Sequence, residues 1–377
     1  MTAQQRRVVQ DIIDCRSGAL GGHIEQCDRC GEVQYRHHSC RNRHCPQCEG
    51  GARAEWLLAR GAELLPVPYY HGVFTVDHIW NEVMRWNQPV CYDLLYRVVN
   101  ALLKEYGQCY LGGEVGFIGV LHTWGQQLSY HVHLHCIILG GVLRADGVFV
   151  ASGERQLFPV VALAADFRQR FCDGMAALYR SGKLQLPAEW LEADFFAAQQ
   201  SVSLDKAWEV YLKPPFGKPA RVLEYLAGYV NRIAISNRRI QHVSNDRVTF
   251  SYRDYRDEGH VKSMTLPVHE FLRRFLQHVL PAGFVRIRYF GLWHPCQRHK
   301  MARMRQQLTK ERPGIEPETL TFWFRSLTQE EKQRCPACGE GSLVCIGEFK
   351  GTRRQLPHRQ RRTPLPTERR AILRRAA

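Results

Sequence analysis

The sequence has no long apolar run and comparatively few acidic residues. No apolar stretch reaches the roughly 18 residues that a membrane-spanning helix needs, and the N-terminal residues lead into no signal-peptide core. A P-loop motif is also missing, which argues against chemistry driven by ATP. We therefore expect a cytoplasmic protein that has no membrane partner.

Basic residues outnumber acidic ones. The 377 residues include 52 Lys and Arg against 36 Asp and Glu, which gives a formal net charge of +16. Such an excess favours a polyanionic partner, usually nucleic acid. Residues 350–377 alone hold ten basic residues and one acidic residue, Glu368. We predict a flexible basic arm there, although a tail that only aids solubility would have the same composition.

The length allows two or three domains, each with its own core. Hydrophobic residues make up 45% of the chain, and the mean hydropathy is -0.35, which is typical of a globular protein. Strand-like and helix-like segments are mixed, which predicts an α+β catalytic domain with a sheet and packed helices. The predicted domains are a cysteine-rich module at 1–58, the catalytic domain at 66–280, a C-terminal region at 281–349 and the basic tail at 350–377.

Fourteen cysteines are present, and six of them lie in the first 50 residues. Clustered cysteines in a cytosolic protein indicate metal sites before disulfides. The pairs Cys27/Cys30 and Cys45/Cys48 have the spacing of thiolate knuckles, and we predict that together they hold one structural zinc ion. Four further ligand-type residues, which could build a second zinc site or be ordinary core and surface residues, are Cys15, His23, Cys40 and His44.

A further knuckle pattern, Cys335-Pro336-Ala337-Cys338, occurs near the C-terminus. One cysteine pair cannot complete a four-ligand zinc site. We predict metal binding at this pair without assigning its partner ligands. The candidates are Cys345, which is nearest, and His294, Cys296 and His299.

Three histidines alternate with other residues at 131, 133 and 135. In a β-strand, residues two apart share one face, so these imidazoles would lie side by side. Neutral imidazoles can bind a divalent metal, which can polarise a phosphate. The alternative is a histidine-rich edge strand without a ligand.

Two tyrosines, Tyr225 and Tyr229, are spaced four residues apart in a segment with amphipathic helical periodicity. A helix would place both on one face. A phenol is a weak nucleophile that needs a metal-polarised phosphate to cleave a phosphodiester. The alternative is a pair of aromatic core residues.

Together these segments resemble the HUH-type rolling-circle transposases of bacterial insertion sequences, the IS91 type. The resemblance covers most of the chain and rests on several motifs in family order. These motifs are residues 39–48, 73–75, 121–125, 210–217, 225–229 and 232–237. Two departures are Val132, where a proline is common, and Asn231, where a histidine is common.

The resemblance implies an HUH endonuclease domain with a central antiparallel sheet, preceded by a small zinc-binding domain that recognises DNA. His133 and His135 match the motif that binds Mg²⁺ or Mn²⁺, and the third ligand stays open among Gln126, Gln127 and His131. Tyr225 or Tyr229 would then attack single-stranded DNA. The implied products are a 5′-phosphotyrosine link and a free 3′-OH.

The implied substrate is single-stranded DNA at the transposon ends and at the target, reached at the bacterial nucleoid. One rival function with the same chemistry is a plasmid or phage replication initiator, or a relaxase. Another is a catalytically inactive zinc-dependent DNA-binding protein, which should lack a key histidine or tyrosine. The candidate DNA-contacting residues are Arg41, Arg43, Lys213 and Arg232.

Overall fold

The largest sheet in the described part of the chain has five strands. The computed structural model describes residues 1–48, 64–65, 67–152, 157–213, 233–311 and 334–352. In spatial order the strands are β12 (Ile287–Gly291), β4 (Gly116–Trp124), β5 (Tyr130–Leu139), β3 (Tyr69–Thr75) and β8 (Val210–Lys213). Each neighbouring pair is antiparallel. Strand β5 therefore lies at the centre, between β4 and β3.

The central sheet has two chemically different faces. Successive side chains of a strand point to opposite sides, so Leu134, Cys136 and Ile138 of β5 share one face and are fully buried in the main apolar cluster. The histidines of β5 point to the other face. The ladder register places Val73 of β3 and Val120 of β4 directly opposite His135, so both valines share its face.

Two long helices, α3 (Gln88–Leu111) and α4 (Val160–Arg180), cover the apolar face of the sheet. Their apolar residues recur every three or four positions, as in a helix with one buried side. Leu95 of α3 and Phe167 of α4 belong to the same cluster as the apolar residues of β5. Helix α3 ends at Gly112, whose positive φ of 73° lets its N–H bond back to the carbonyl of Gln108.

The remaining α-helices of the described residues are α1 (Ala3–Asp14), α2 (Asn81–Trp86), α5 (Ala188–Leu191), α6 (Ala193–Asp205), α7 (Val268–Leu276) and α8 (Arg298–Glu311). Helix α8 contributes Met304 to a second apolar cluster, which includes Ile118 of β4 and Ile137 of β5. This cluster lies on the histidine face, toward the opposite end of β4 and β5 from His133. One face of the sheet is therefore apolar at one end and rich in imidazoles at the other.

A second antiparallel sheet follows later in the chain. It consists of β9 (Ile240–Val243), β10 (Arg247–Asp254) and β11 (His260–Pro267), with β10 in the middle. Phe250 of β10 is fully buried and belongs to one apolar cluster with Phe271 of α7. A short hairpin pairs β6 (Gly141–Leu143) with β7 (Phe149–Ala151).

The chain divides into two units, one of Met1–Ile13 and Arg41–Gln333 and one of Asp14–Cys40 and Arg334–Ala377. The elements given so far belong to the first unit, except for the last residue of α1. In its described residues, the second unit contains an antiparallel sheet in the order β13, β1, β2. These strands are Leu343–Phe349 (β13), Gly22–Cys27 (β1) and Val33–His37 (β2). Sequence positions that are more than 300 residues apart thus form one small sheet.

The prediction of an α+β protein with a central antiparallel sheet and packed helices is confirmed. The predicted domain boundaries differ from the two units, because residues 14–40 lie with 334–352 and not with a continuous module 1–58. Among the described helices, none combines the length and apolar character needed to cross a membrane.

Candidate functional site

Three histidines on the central sheet bring one ring nitrogen each to within 4.8 Å of the others. His133 and His135 come from β5, as the alternating pattern predicts, and His122 comes from the neighbouring strand β4. His122 lies directly opposite His133 in the β4–β5 ladder, so both side chains share one face. Sequence reasoning did not identify His122 as a member of this group.

The three rings are arranged to converge. The ring centroids of His122 and His135 are 4.5 Å apart, and the two ring planes are inclined at 66°. The centroids of His133 and His135 are 4.8 Å apart, with an angle of 73° between the planes. Steeply inclined rings can aim their nitrogens at a common point, which parallel stacked rings cannot do. His122 and His135 are buried, with 2% and 8% of their surface exposed, whereas His133 is half-buried.

Hydrogen bonds orient two of these rings. Nδ1 of His133 donates to the backbone carbonyl of His131 at 2.9 Å. Nδ1 of His135 lies 2.9 Å from Nε2 of His71, a buried residue of β3 whose ring stacks on His135 at 12°. Burial, aided by the nearby Lys213 ammonium, lowers the pKa of His71 to about 3, so the His71 ring is neutral and can accept this bond. Because Nδ1 of His133 and Nδ1 of His135 are engaged in these hydrogen bonds, both residues would coordinate a metal through Nε2.

The third-ligand candidates from the sequence have other contacts in the described structure. The His131 ring centroid is 5.0 Å from that of His133, but its nitrogens are not among the grouped ones in the described residues. Gln126 accepts hydrogen bonds from Arg239 and from the backbone of Arg253. The carbonyl of Gln127 accepts from Arg274 at 3.3 Å.

The other predicted site residues lie partly within and partly outside the described residues. Tyr225, Tyr229 and Arg232 lie outside the described residues. Lys213 ends strand β8 and is directly opposite His71 in the β3–β8 ladder. Its ammonium lies 5.8 Å from the centre of the Tyr211 ring.

In the second unit, four thiols form a group whose sulfur atoms all lie within 4.8 Å of one another. The group combines the first predicted knuckle, Cys27/Cys30, with the C-terminal knuckle, Cys335/Cys338. The structure thus does not join Cys27 and Cys30 to Cys45 and Cys48. Cys345, the nearest candidate from the sequence, is exposed, and its thiol bonds to a local backbone carbonyl. Four thiolate sulfurs are the kind of donor set that a closed structural zinc site uses.

Backbone N–H groups stabilise the thiolate form of one cysteine in each knuckle. The N–H groups of Cys30 and Arg29 point at the Cys27 sulfur, each at 3.4 Å, and lower the pKa of that thiol. The N–H groups of Gly341 and Glu340 lower the pKa of the Cys338 thiol to about 6. A thiolate is the form that binds zinc.

Two histidines of the predicted second zinc site have other partners. His23 bonds to Glu25 at 3.1 Å through Nε2. Nε2 of His44 accepts the backbone N–H of Leu280 at 3.3 Å. Backbone N–H groups of the remaining N-terminal cysteines also form hydrogen bonds. The N–H of Cys40 points at the Cys15 sulfur at 3.5 Å, and the N–H of Cys48 donates to the carbonyl of Cys45 at 3.1 Å.

Two candidate DNA-contacting arginines adjoin these cysteines. Arg43 donates to the carbonyl of Phe284 at 2.6 Å, which is a structural contact. Arg41 is exposed and has a positive φ of 51°. Roles for Cys45 and Cys48 in zinc binding, for Cys15 and Cys40 as further zinc ligands, and for Arg41 and Arg43 in DNA binding stay predictions.

Comparison with known families agrees with this combination of a cysteine-rich region and a histidine-bearing sheet. A family model described as "Putative transposase" matches residues 116–301. A second, described as "Transposase zinc-binding domain", matches residues 1–76. The first match contains all three converging histidines, and the second contains Cys27 and Cys30 but stops far before Cys335.

Two curated relatives match almost the whole chain. A "Putative transposase y4qJ" of Sinorhizobium fredii (strain NBRC 101917 / NGR234) is 39% identical over 93% of this chain and 91% of its own length. The "Transposase for insertion sequence element IS801" of Pseudomonas savastanoi pv. phaseolicola is 27% identical over 88% of this chain and 81% of its own length. The chain belongs to the IS91-type insertion-sequence transposases, and its N-terminal region is a zinc-binding domain.

Two solved structures of the conjugative relaxase TrwC in complex with oriT DNA also match. The metal-free structure has a TM-score of 0.25 at 11% identity, covering 42% of this chain and 71% of that chain. The copper-bound structure has a TM-score of 0.26 at 13% identity, covering 61% of this chain and 94% of that chain. The family assignment rests on the sequence relatives.

Proposed function

We propose that this transposase cleaves and rejoins single-stranded DNA through a 5′-phosphotyrosine intermediate, with His122, His133 and His135 as the ligands of a catalytic divalent metal. The convergence of these three ring nitrogens on one face of the sheet carries the proposal. Membership of a transposase family supplies the substrate class, DNA. The substrate within that class would be single-stranded DNA at the transposon ends and at the target, at the nucleoid.

The donor set favours Mn²⁺ over Mg²⁺ as the ion. Magnesium prefers octahedral oxygen ligands, whereas imidazole suits later first-row metals better. When bound, the ion withdraws charge from the scissile phosphate. His135 is held by His71 and His133 by the carbonyl of residue 131, so two of the three donors are fixed before any metal arrives.

The nucleophile would be Tyr225 or Tyr229. The phenol oxygen loses its proton and forms a bond to phosphorus while the bond from phosphorus to the 3′ oxygen breaks. The leaving 3′ oxygen takes up one proton to become a 3′-OH, so the step is balanced in protons. The phosphotyrosine retains the bond energy, so the 3′-OH of another strand can reverse the step without ATP. Two tyrosines would permit two successive strand transfers.

Positive charge would hold the DNA next to this site. Lys213 lies opposite His71 on the strand beside β3, and its ammonium would pair with a phosphate near the reacting one. Arg232 follows the tyrosines in sequence and is proposed for the same role. The net charge of +16 supplies the longer-range attraction.

The test is adduct formation with labelled single-stranded DNA from the ends of the element, in the presence of Mn²⁺. The wild-type protein should form a covalent adduct that survives denaturation, and the Tyr225→Phe/Tyr229→Phe double variant should form none. His122→Ala should abolish adducts, whereas the exposed His242 of β9 can be changed to Ala without effect. Equal adduct yields from the double tyrosine variant and the wild type would refute the tyrosine mechanism. Wild-type yields from His122→Ala would remove His122 from the metal site.

A further inference from the structure

The C-terminal knuckle, Cys335/Cys338, has no role in the chemistry proposed above. It also lies outside the matched zinc-binding domain, which covers residues 1–76. In the second unit, however, its two sulfurs lie beside those of Cys27 and Cys30. The sulfur distances show what this group can bind.

The distances fit one tetrahedral zinc ion. A zinc–sulfur bond of about 2.3 Å and a tetrahedral angle put neighbouring sulfurs about 3.8 Å apart. The sulfurs of Cys27 and Cys338 are 3.8 Å apart, and those of Cys30 and Cys335 are 3.6 Å apart. A disulfide would need about 2.05 Å. The thiols are therefore spaced for a shared metal and are too far apart for a disulfide bond.

The two knuckles have the same backbone form although they come from opposite ends of the chain. In each, the carbonyl of the first cysteine accepts the N–H of the glycine that follows the second cysteine, from Gly31 at 3.1 Å and from Gly339 at 2.8 Å. Both glycines have positive φ, 76° and 70°. Two equivalent knuckles beside a three-stranded antiparallel sheet are the arrangement of a zinc ribbon.

Hydrogen bonds and an ion pair also connect the two knuckles directly. The N–H of Asp28 donates to the carbonyl of Ser342 at 3.1 Å, and its carboxylate accepts the N–H of Ser342 at 2.8 Å. Arg29 forms an ion pair with Glu340. A Cβ at Gly341 would collide with the Cys27 sulfur, so the two turns approach as closely as a glycine allows.

We propose that Cys27, Cys30, Cys335 and Cys338 bind one structural zinc ion, so that the zinc-binding domain at the start of the chain is completed by a segment near its end. The site crosslinks positions that are 311 residues apart. Because the ligands converge only in the folded chain, zinc binding and the docking of residues 334–352 onto β1 stabilise each other. Removal of zinc should therefore release this segment together with strand β13.

The first test measures zinc per chain in the purified full-length protein by elemental analysis. The Cys335→Ser/Cys338→Ser variant should lose one zinc, and Cys27→Ser/Cys30→Ser should lose the same one. A quadruple variant that combines these four substitutions should lose no more zinc than either double variant. The control is Cys296→Ser/Cys345→Ser, which changes two exposed cysteines and should keep all the zinc. Full zinc content in Cys335→Ser/Cys338→Ser, or an additive loss in the quadruple variant, would overturn the proposal.

A second test needs no substitution and so does not depend on the folding of a variant. In the wild-type protein, an alkylating reagent should modify Cys296 and Cys345 at once, but Cys335 and Cys338 only after a chelator has removed the metal. Mass spectrometry of the peptides gives the rate at each cysteine. If Cys338, which is only partly buried, reacts as fast as Cys345 before chelation, the site holds no zinc. Neither test uses DNA cleavage, so failure of this proposal is distinguishable from failure of the proposed catalysis.

Discussion

At the scale of single residues, His71 is the least expected member of the histidine face. It is not one of the three proposed metal ligands, yet its Nε2 lies 2.9 Å from Nδ1 of His135. An acceptor at this position fixes the tautomer and the orientation of the ligand ring, which commonly changes metal affinity by about 10- to 100-fold. We infer that His71 is a positioning residue.

The first prediction compares two substitutions of His71. His71→Phe keeps an aromatic ring for stacking but removes the acceptor, and it should weaken Mn²⁺ binding by about 10-fold or more. His71→Gln restores a hydrogen-bonding group and should recover part of the affinity. Mn²⁺ titration followed by electron paramagnetic resonance gives both values. If His71 only fills space, His71→Phe should bind Mn²⁺ as tightly as the wild type.

The second prediction concerns His278, which is buried beside the site. Its Nε2 bonds to the carbonyl of Leu128 and its Nδ1 to the hydroxyl of Thr123, both at 3.2 Å. Burial lowers its pKa from about 6.5 to about 4. In the unfolded chain His278 binds a proton below about pH 6.5, whereas in the folded chain it binds one only below about pH 4. As the pH falls through this range, His278 therefore lowers the free energy of unfolding.

His278→Gln should reduce this acid sensitivity. Between pH 6.5 and 4, the wild type should lose up to about 3 kcal/mol more unfolding free energy than the variant. Urea unfolding at a series of pH values measures the difference. Parallel curves for the two proteins across this window would show that His278 does not titrate as described.

Residue patterns predicted only part of the site. Alternation alone placed His133 and His135 on one face, because the period of two is a local property of a strand. His122 could not be placed in this way, since the β4–β5 register shifts between His122 and Trp124. A shift of one residue moves a side chain to the other face of a sheet, and a bulge of this kind has no clear signal in the sequence.

At the scale of elements, the knuckles show where local spacing misleads. The pairs Cys27/Cys30 and Cys45/Cys48 are close in sequence and have the spacing of one zinc site. Strand β1, however, pairs with β13 along its whole length, from Gly22 opposite Phe349 to Cys27 opposite Leu343. This pairing brings the C-terminal knuckle to Cys27, and pairing across 300 residues is a tertiary property that no local pattern reveals.

The third prediction tests the close approach of the two knuckles. Gly341→Ala adds a methyl group that collides with the Cys27 sulfur, so the turns must separate and zinc should be lost at a lower chelator concentration. Gly347→Ala is the matched control in the same segment, because a Cβ there meets nothing within 4 Å. Zinc release can be followed with a colorimetric chelator. Identical release curves for the two variants would contradict the described contact.

At the scale of the whole molecule, the excess of positive charge determines how the protein meets DNA. Nine basic residues and one acidic residue lie in residues 353–377. Each phosphate contact to single-stranded DNA contributes about 0.7 to the slope of log affinity against log salt concentration. A basic tail that contacts DNA should therefore be visible in the salt dependence of binding.

The fourth prediction is that deletion of residues 353–377 lowers the affinity for single-stranded DNA and makes its salt dependence shallower. Zinc content should not change, because the deletion leaves β13 and the four proposed zinc ligands, Cys27, Cys30, Cys335 and Cys338, in place. Fluorescence anisotropy at several salt concentrations measures both quantities. An unchanged slope would mean that the tail contributes solubility but no contact with DNA.

The ligation of zinc by Cys27 and Cys338 also has a consequence for synthesis of the chain. A ribosome makes Cys27 and Cys30 early, but the other half of the site exists only after residue 338 has been added. A nascent chain, or a product truncated by a premature stop codon, therefore carries a zinc-binding domain with half of this ligand set. Zinc binding by all four cysteines is therefore possible only after the whole region between the two knuckles has been translated.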